Sequence, residues 1–232
     1  FAGWNTAADG SGTSYTSEQV VTLEWNLKLY AQWKVYVSGT ENGHGYVDLG
    51  LSVKWSAYNL GANAPNGYGN YYAWGEIETK VDYTMNSYMH IGKDKYGDYE
   101  YKLPDGLSDI SGSKYDVAAI VWGNEWRMPT KLEMIELTDK AIFVKTSCNG
   151  IDGMRIIGPN GNSIFLPSGG YPRETGGNAV GTRGDYWLSL VNTSWPRGAY
   201  TLSWGVSPFY GEWYNVNEQE RYLGLLIRAV RE

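Results

Sequence analysis

The sequence predicts an α+β domain with several short strands, one or two helices and long irregular loops. A helix start with a complete capping signal follows Pro129, and short stretches of alternating apolar and polar residues, typical of half-buried strands, recur after it. The composition agrees, because 30 glycines supply turns while 20 tyrosines and 11 tryptophans cover pleated surfaces in a chain of 232 residues.

Length and charge limit the classes of protein to consider. The chain is long enough for one large domain or two modest ones. Its net charge of −6 and isoelectric point of about 5.0 argue against nucleic acid as a partner, because phosphate binding needs a basic surface. No apolar run approaches the roughly 20 residues that span a membrane. Since Phe1 stands where a start methionine is usual, we expect a processed product or a piece of a longer protein.

Cysteine and histidine content argues against a metal or redox centre. The single cysteine, Cys148, excludes an intrachain disulfide and a cysteine-based zinc cluster, and we expect it to be a small residue in or near the core. His44 and His90 are too far apart in sequence to suggest a metal site by spacing. Asn149–Gly153 has oxygen atoms that could ligate calcium, but it lacks the acid density of a dedicated loop, so a plain turn is favoured. No cofactor is predicted.

Residues 1–34 form the first predicted unit. Residues 27–34 alternate as a half-buried strand does, with apolar positions Leu27, Leu29, Ala31 and Trp33. Phe1–Thr13 and Leu27–Lys34 resemble the Listeria–Bacteroides repeat, the β-grasp module that also forms internalin B-repeats. The resemblance implies the C-terminal half of a β-grasp unit. Such a half leaves a strand edge to be paired, by upstream residues, by the second domain or by another chain.

The next segments predict one hairpin among loops. Residues 35–43 are predicted to be a linker, because Ser-Gly and Asn-Gly break the preceding strand. Residues 44–60 predict a β-hairpin, residues 61–75 a long ordered loop that ends in a short strand, and residues 76–113 a polar, solvent-exposed loop. The predicted hairpin strands are Tyr46–Leu49 and Lys54–Tyr58.

Two helices are predicted in the middle of the chain. Asp116 is placed to cap a short helix that ends near Val121. A longer helix begins after Thr130, whose side chain forms a capping box with that of Glu133. Its apolar stripe is predicted at Leu132, Ile135 and either Met134 or Leu137.

Strands dominate the remainder of the chain. The turn Pro159–Asn162 predicts a hairpin between Met154–Ile157 and Ser163–Leu166. The other predicted strands are Ile142–Lys145, Tyr186–Leu190, Ala199–Trp204 and Gly224–Val230. The last of these is the most apolar and is predicted to be central. Loops are predicted at residues 168–185, 192–198 and 206–217.

One stretch carries a resemblance to a known family. Trp122–Glu133 has the pattern W-G-x-x-W-R-M-P-T-x-x-E, which resembles the signature of the Fibrobacter succinogenes major paralogous domain, common in surface proteins of Bacteroidetes. Further blocks resemble the family in order, namely His44–Trp55, Tyr68–Glu76, Tyr115–Ala119, Asn160–Pro167 and Arg221–Val230. The resemblance implies a domain over residues 44–232 and an extracellular or cell-surface location, with signal and anchor outside this chain. The family has no established activity to carry over.

A wider similarity concerns the fold. R-M-P-T-x-x-E before a helix and a closing Gly-x-x-Ile-Arg are similar to the C-type-lectin-like fold of formylglycine-generating proteins. Those enzymes use a cysteine pair near the end of the fold, whereas the only thiol here is Cys148 in mid-domain, so their activity is not carried over. No nucleophile elbow is present, and spacing selects no carboxylate pair. We therefore predict no enzymatic activity.

Candidate ligand-binding side chains lie on the predicted loops. They are Tyr171, Arg173, Trp195, Tyr210 and Trp213, with Phe209 beside them. In a C-type-lectin-like fold the long loops cluster at one end, which commonly binds ligands, although such rings can also pin loops to the core. Five tryptophans are assigned to the core instead, namely Trp55, Trp122, Trp126, Trp187 and Trp204.

The favoured function is a non-enzymatic binding or adhesion module of a bacterial surface protein, whose partner is a glycan or a host or bacterial surface protein. Two alternatives stay open: a structural scaffold in a surface assembly, motivated by the half repeat, and an enzyme on a formylglycine-generating-like scaffold.

Overall fold

The computed structural model describes residues 3–16, 19–22, 26–32, 37–172, 179–207 and 211–232. Within these ranges the chain forms two α-helices and fifteen short strands, arranged in five small sheets. This combination of many strands and few helices agrees with the predicted α+β class. The strands are β1 Gly3–Asn5, β2 Ser14–Tyr15, β3 Tyr30–Gln32, β4 Gly39–Glu41, β5 His44–Val47, β6 Lys54–Ser56, β7 Ile91–Lys93, β8 Tyr99–Tyr101, β9 Ile142–Cys148, β10 Ile151–Ile157, β11 Ser163–Pro167, β12 Arg183–Val191, β13 Gly198–Ser207, β14 Gly211–Glu220 and β15 Val230–Arg231.

The N-terminal sheet has the strand order β2-β1-β3. Strand β3 covers only part of the predicted strand 27–34, and Trp33 lies outside the described residues. Buried Asn5 holds the turn between β1 and β2, because its amide nitrogen donates to Gly10 O and Gly12 O at 3.1 and 3.0 Å. The predicted glycine-rich turn is thus closed by one side chain.

The segment predicted to be a linker contains a strand. β4, Gly39–Glu41, pairs with β5 in the sheet β15-β6-β5-β4, so this part of the predicted linker belongs to a sheet. Asn42 and Gly43 have φ values of 48° and 80°. Two consecutive positive φ angles suit a tight two-residue hairpin turn, so Asn-Gly turns the chain back and does not end the sheet. The predicted hairpin over residues 44–60 is confirmed, since Val47 lies opposite Trp55 in the β5–β6 ladder.

Residues 76–113, predicted to be a loop, contain the β7–β8 hairpin and two short 3-10 helices, Met85–Ser87 and Pro104–Gly106. The charged run is the hairpin's turn. The Asp94 carboxylate accepts hydrogen bonds from Tyr96 N at 2.8 Å and Asp98 N at 2.9 Å. The sequence pattern missed this hairpin because its strands are only three residues long and flank a charged run.

Both predicted helices are confirmed. α1, Val117–Trp122, begins after Asp116, whose carboxylate accepts from Ala118 N and Ala119 N. α2, Lys131–Lys140, has the predicted capping box between Thr130 and Glu133.

The predicted apolar stripe of α2 is wrong at one position. Leu132 is 78% exposed, while Met134 and Leu137 are buried. Leu132 lies two residues before Met134, about 200° around the helix axis, so the two side chains cannot share one buried face.

Two apolar cores hold these elements together. One lies between α2, the sheet β11-β10-β9 and the inner side of β12 and β13, and the other surrounds α1 and the segment 223–229. All five tryptophans assigned to the core are at most 7% exposed, which confirms that prediction. Cys148 is also buried, as expected. The hairpin between β10 and β11 is confirmed, and β9 adds a third antiparallel strand.

The C-terminal part differs most from expectation. β12, β13 and β14 form an antiparallel meander, and β14 covers most of the predicted loop 206–217. Residues 224–230, predicted to be a central strand, are buried, yet only Val230 belongs to a strand. Leu225 and Leu226 make isolated bridges instead. An apolar run such as residues 224–230 indicates burial but does not by itself indicate strand pairing. The strand β14 was missed because polar residues on both of its faces obscure the alternation of apolar and polar positions.

Candidate functional site

A cleft of about 700 Å³ opens at the C-terminal end of β14. Four aromatic rings line it together with amide, hydroxyl and carboxylate groups. The lining residues are Tyr83, Thr84, Met85, Asn86, Tyr99, Trp195, Gln219, Glu220, Tyr222 and Leu223. Aromatic rings beside convergent polar groups are a feature of ligand pockets.

Trp195 is positioned by a tight turn between β12 and β13. Its backbone N–H donates to Asn192 O at 3.1 Å, and its carbonyl accepts from Gly198 N at 2.8 Å. The indole lies directly over Gly198, where any side chain would overlap the ring. Trp195 stays 39% exposed, so its ring is available to a ligand.

Tyr99 supplies the second exposed ring. It lies on β8 and is 45% exposed. Its hydroxyl donates to Asn86 Oδ1 at 2.8 Å, and the Lys93 ammonium lies 3.3 Å from the ring centroid. These contacts fix the ring against the 3-10 helix Met85–Ser87 and leave part of it open.

The one carboxylate among the described lining residues is paired. Glu220 accepts hydrogen bonds from the Tyr222 hydroxyl and the Arg197 guanidinium. Burial, and next the hydrogen bond to Glu220, raise the pKa of Tyr222. In the cleft, the charge of Glu220 is therefore balanced by Arg197, and the phenol of Tyr222 keeps its proton.

Buried Arg221 joins the segments that form the cleft. Its guanidinium donates to Tyr88 Oη at 2.9 Å, to Lys102 O at 2.7 Å and to Pro196 O at 3.1 Å. Its Cζ also lies 4.7 Å from the centroid of the Trp74 ring. One side chain thereby connects β14, the residue after β8 and the turn that carries Trp195.

Only part of the predicted site occurs here. Trp195 lines the cleft, whereas Trp213 is partly exposed on β14 and is not in a loop. Tyr171 is 6% exposed and packs in the second core, so the expectation of a loop ring open to ligand is wrong for it. Arg173 and Tyr210, with Phe209, lie outside the described residues.

Sequence reasoning missed most of the cleft. Tyr99 and Asn86 fell in a segment treated as a solvent-exposed loop. Gln219 and Glu220 lie at the end of a strand that was not recognised, and Tyr222 follows it. One signal in the sequence could have indicated these residues, namely the tyrosines that recur around Tyr99. In a hairpin, such tyrosines lie on the surface of the sheet.

The other chemically notable groups are structural. Burial raises the pKa of the Cys148 thiol and so disfavours the reactive thiolate. Asn149 and Gly150 both have positive φ and form the β9–β10 turn, whereas Ile151–Gly153, included in the predicted turn, belong to β10. Across the described ranges, no group of three or more His, Cys, Asp or Glu side chains is arranged to hold a metal ion. No helix in the described part of the chain is both long and apolar enough to cross a membrane.

No family model matches the chain, and neither does any curated protein or solved structure.

Proposed function

We propose that the chain is a non-enzymatic binding module of a bacterial cell surface and that the cleft beside Trp195 holds its ligand, a glycan or a surface protein. The observation that carries this proposal is the pair of half-exposed rings, Trp195 and Tyr99, in one cleft with amide and hydroxyl groups. Amphipathic rings give large contact area at low entropic cost, and neighbouring polar groups fix the ligand's orientation.

The charges in the cleft favour binding over catalysis. Glycoside hydrolysis needs two carboxyl groups across the scissile bond. Glu220 is the only carboxylate among the described lining residues, and it is engaged by Arg197 and Tyr222. The alternative of a formylglycine-generating-like enzyme is disfavoured because Cys148 is buried.

The walls of the cleft are held in place by a buried side chain. Arg221 fixes the backbone at Pro196 and Lys102 on two separate segments. A preformed site loses less conformational entropy on binding and so keeps more of the interaction energy as affinity. This supports a recognition role for the exposed rings.

We also propose that residues 44–231 form a major paralogous domain with a C-type-lectin-like fold, which implies the surface location. The motif residues support this because they form one local cluster. Arg127 donates to both oxygens of Glu133 at 2.8 and 2.6 Å, and Glu133 accepts from Thr130 N at 2.8 Å. The signature is therefore explained as architecture around the start of α2.

The proposal is tested by screening the chain on glycan and surface-protein arrays, followed by titration of the best ligand. We expect Trp195→Ala to weaken binding by about tenfold or more, the loss typical of a central aromatic contact. Trp4→Ala is the matched control, because Trp4 is 38% exposed but lies on β1, outside the cleft. Absence of any ligand on both arrays, or equal affinity of the two variants, would overturn the proposal.

A scaffold role is the second candidate, favoured by the N-terminal sheet. Its outer strands β2 and β3 each pair on one side only within the described residues. Open strand edges invite pairing with another chain. Light scattering would show a stable dimer or polymer if the scaffold hypothesis holds, and a strict monomer at all concentrations would exclude it.

A further inference from the structure

A polar strip runs along β14 and meets the cleft at Gln219. Alternate residues of a strand share one face, and on this face β14 carries Trp213, Asn215, Asn217 and Gln219. Gln219 also lines the cleft. From Trp213 to Gln219 the strip is roughly 20 Å long, at ~3.4 Å per residue. Asn215 is exposed, and Trp213, Asn217 and Gln219 are partly exposed.

A buried carboxylate lies on the same face of the sheet as the strip. Asp185 on β12 is 0% exposed and accepts hydrogen bonds from Arg183 at 2.6 and 2.8 Å and from Ser203 Oγ at 2.7 Å. It also accepts from Gln219 Nε2 at 3.4 Å. Asp185 is thus a positioning residue, because it orients Gln219 and Arg183 without being open to solvent.

The far end of the strip is aromatic. Trp213 lies opposite Gly205 on β13, and a Cβ at that glycine would be 3.1 Å from the indole. The Arg183 Cζ lies 5.7 Å from the Trp213 ring centroid and 5.4 Å from that of Tyr171. Arg183 therefore sits between a buried ring and a partly exposed one, and it connects Asp185 to the end of the strip. Tyr171 contributes to the site as a support and not as an open ring.

Charge on this surface is balanced. Arg183 pairs with Asp185 at one end of the strip, and Arg197 pairs with Glu220 in the cleft. Between these pairs, the strip presents the side-chain amides of Asn215, which is exposed, and Asn217, which is partly exposed. Each amide carries hydrogen-bond donors and an acceptor, as a sugar hydroxyl does. A neutral polyol fits this surface better than an anionic ligand, which would need unpaired cations.

We propose that the strip extends the binding site, so that the ligand is an uncharged oligosaccharide that lies in the cleft and continues along β14 to Trp213. This inference rests on the proposed binding function and narrows its ligand to a neutral glycan of several linked sugars. Rings at both ends provide apolar contact with sugar faces, and the amides between them bind hydroxyl groups.

The test uses the full chain and a panel of neutral and acidic oligosaccharides, from single sugars to long oligomers, measured by isothermal titration calorimetry. We expect affinity for neutral oligomers to rise with length. Asn215→Ala combined with Asn217→Ala should weaken binding of long oligomers by about tenfold and leave binding of the shortest ligands unchanged. Glu212→Gln, on the opposite face of the same strand, is the matched control and should behave like the parent chain. Thermal unfolding confirms that each variant is folded.

The outcomes separate the two proposals. Binding that depends on Trp195 but is indifferent to length and to Asn215 and Asn217 would overturn the extended site and leave the proposed function standing. Preference for acidic oligomers, or for a protein, would overturn the neutral-glycan inference alone. No binding to any array or oligosaccharide would overturn both.

Discussion

At the scale of single residues, two buried arginines organise the molecule. Arg228 is 1% exposed, and its guanidinium donates to Asn59 Oδ1, Ser56 O and Phe165 O at 3.0, 3.0 and 2.7 Å. These acceptors are neutral groups on two segments, residues 56–59 and β11. Burial lowers the pKa of Arg228 to about 10, which still leaves it charged at neutral pH. Its role is to satisfy buried oxygen atoms that the apolar core cannot.

Replacing Arg228 by methionine should therefore cost stability through lost hydrogen bonds. Arg228→Met keeps much of the side-chain length but leaves the three acceptors unpaired, and each buried unpaired group costs on the order of 1–3 kcal/mol. We expect the free energy of unfolding in urea to fall by about 3 kcal/mol or more. Lys95→Met, in the exposed β7–β8 turn, is the control and should change it by less than about 0.5 kcal/mol. Equal effects of the two changes would contradict this role.

At the scale of elements, the start of α2 combines a cap with an ion pair. Burial raises the pKa of the Glu133 carboxyl, but the Arg127 guanidinium and the Thr130 N–H outweigh burial and leave it below its usual 4.5. A carboxyl with a lowered folded-state pKa stabilises the fold above the unfolded value and loses that contribution as pH falls through the folded value. The helix start should therefore weaken in acid.

Glu133→Gln tests that pH dependence. The variant keeps a capping acceptor but loses the charge, so we expect about 1–2 kcal/mol less stability at pH 7. The difference from the parent chain should shrink as pH falls from 4.5 through the lower folded-state pKa of Glu133, below which its carboxyl is protonated. Chemical unfolding over a pH series measures it. Asp139→Asn, exposed on the same helix, is the control. A difference that stays constant into acid would contradict the ion-pair explanation.

At the scale of the whole molecule, the sheets β11-β10-β9 and β12-β13-β14 meet through aromatic stacking. The rings of Phe143 and Tyr214 are parallel within 6°, with centroids 4.3 Å apart. Beside them, the charged atoms of Lys145 and Glu212 are 4.0 Å apart and largely exposed. The stack, more than the ion pair, should couple the two sheets.

A double-mutant cycle on Phe143→Ala and Tyr214→Ala should give a coupling of about 0.5–1.5 kcal/mol in the free energy of unfolding. The parallel cycle on Lys145→Ala and Glu212→Ala should give a coupling close to zero, because exposed ion pairs are screened and flexible. The interface argument fails if the ion pair couples as strongly as the rings do.

Sequence signals between residues a few positions apart determined a substantial part of the secondary structure and core of this protein. The sequence alone predicted both helices with their caps at Asp116 and Thr130, the hairpin around Pro159–Asn162 and the burial of the core tryptophans. Capping, turn formation and apolar burial depend on residues a few positions apart, so a single sequence contains them. The choice of Trp195 as a site residue also came from such a signal, an aromatic ring in a short polar turn.

Tertiary structure decided the rest. Residues 211–220 form a strand because they pair with β13, whereas most of the apolar residues 224–230 are buried without a continuous strand partner. The cleft depends on the same packing, because it brings Tyr99, Trp195 and Gln219 together from segments far apart in sequence. Proximity of that kind is set by how sheets and loops pack, through contacts such as those of Arg221, and no local pattern of residue types encodes it.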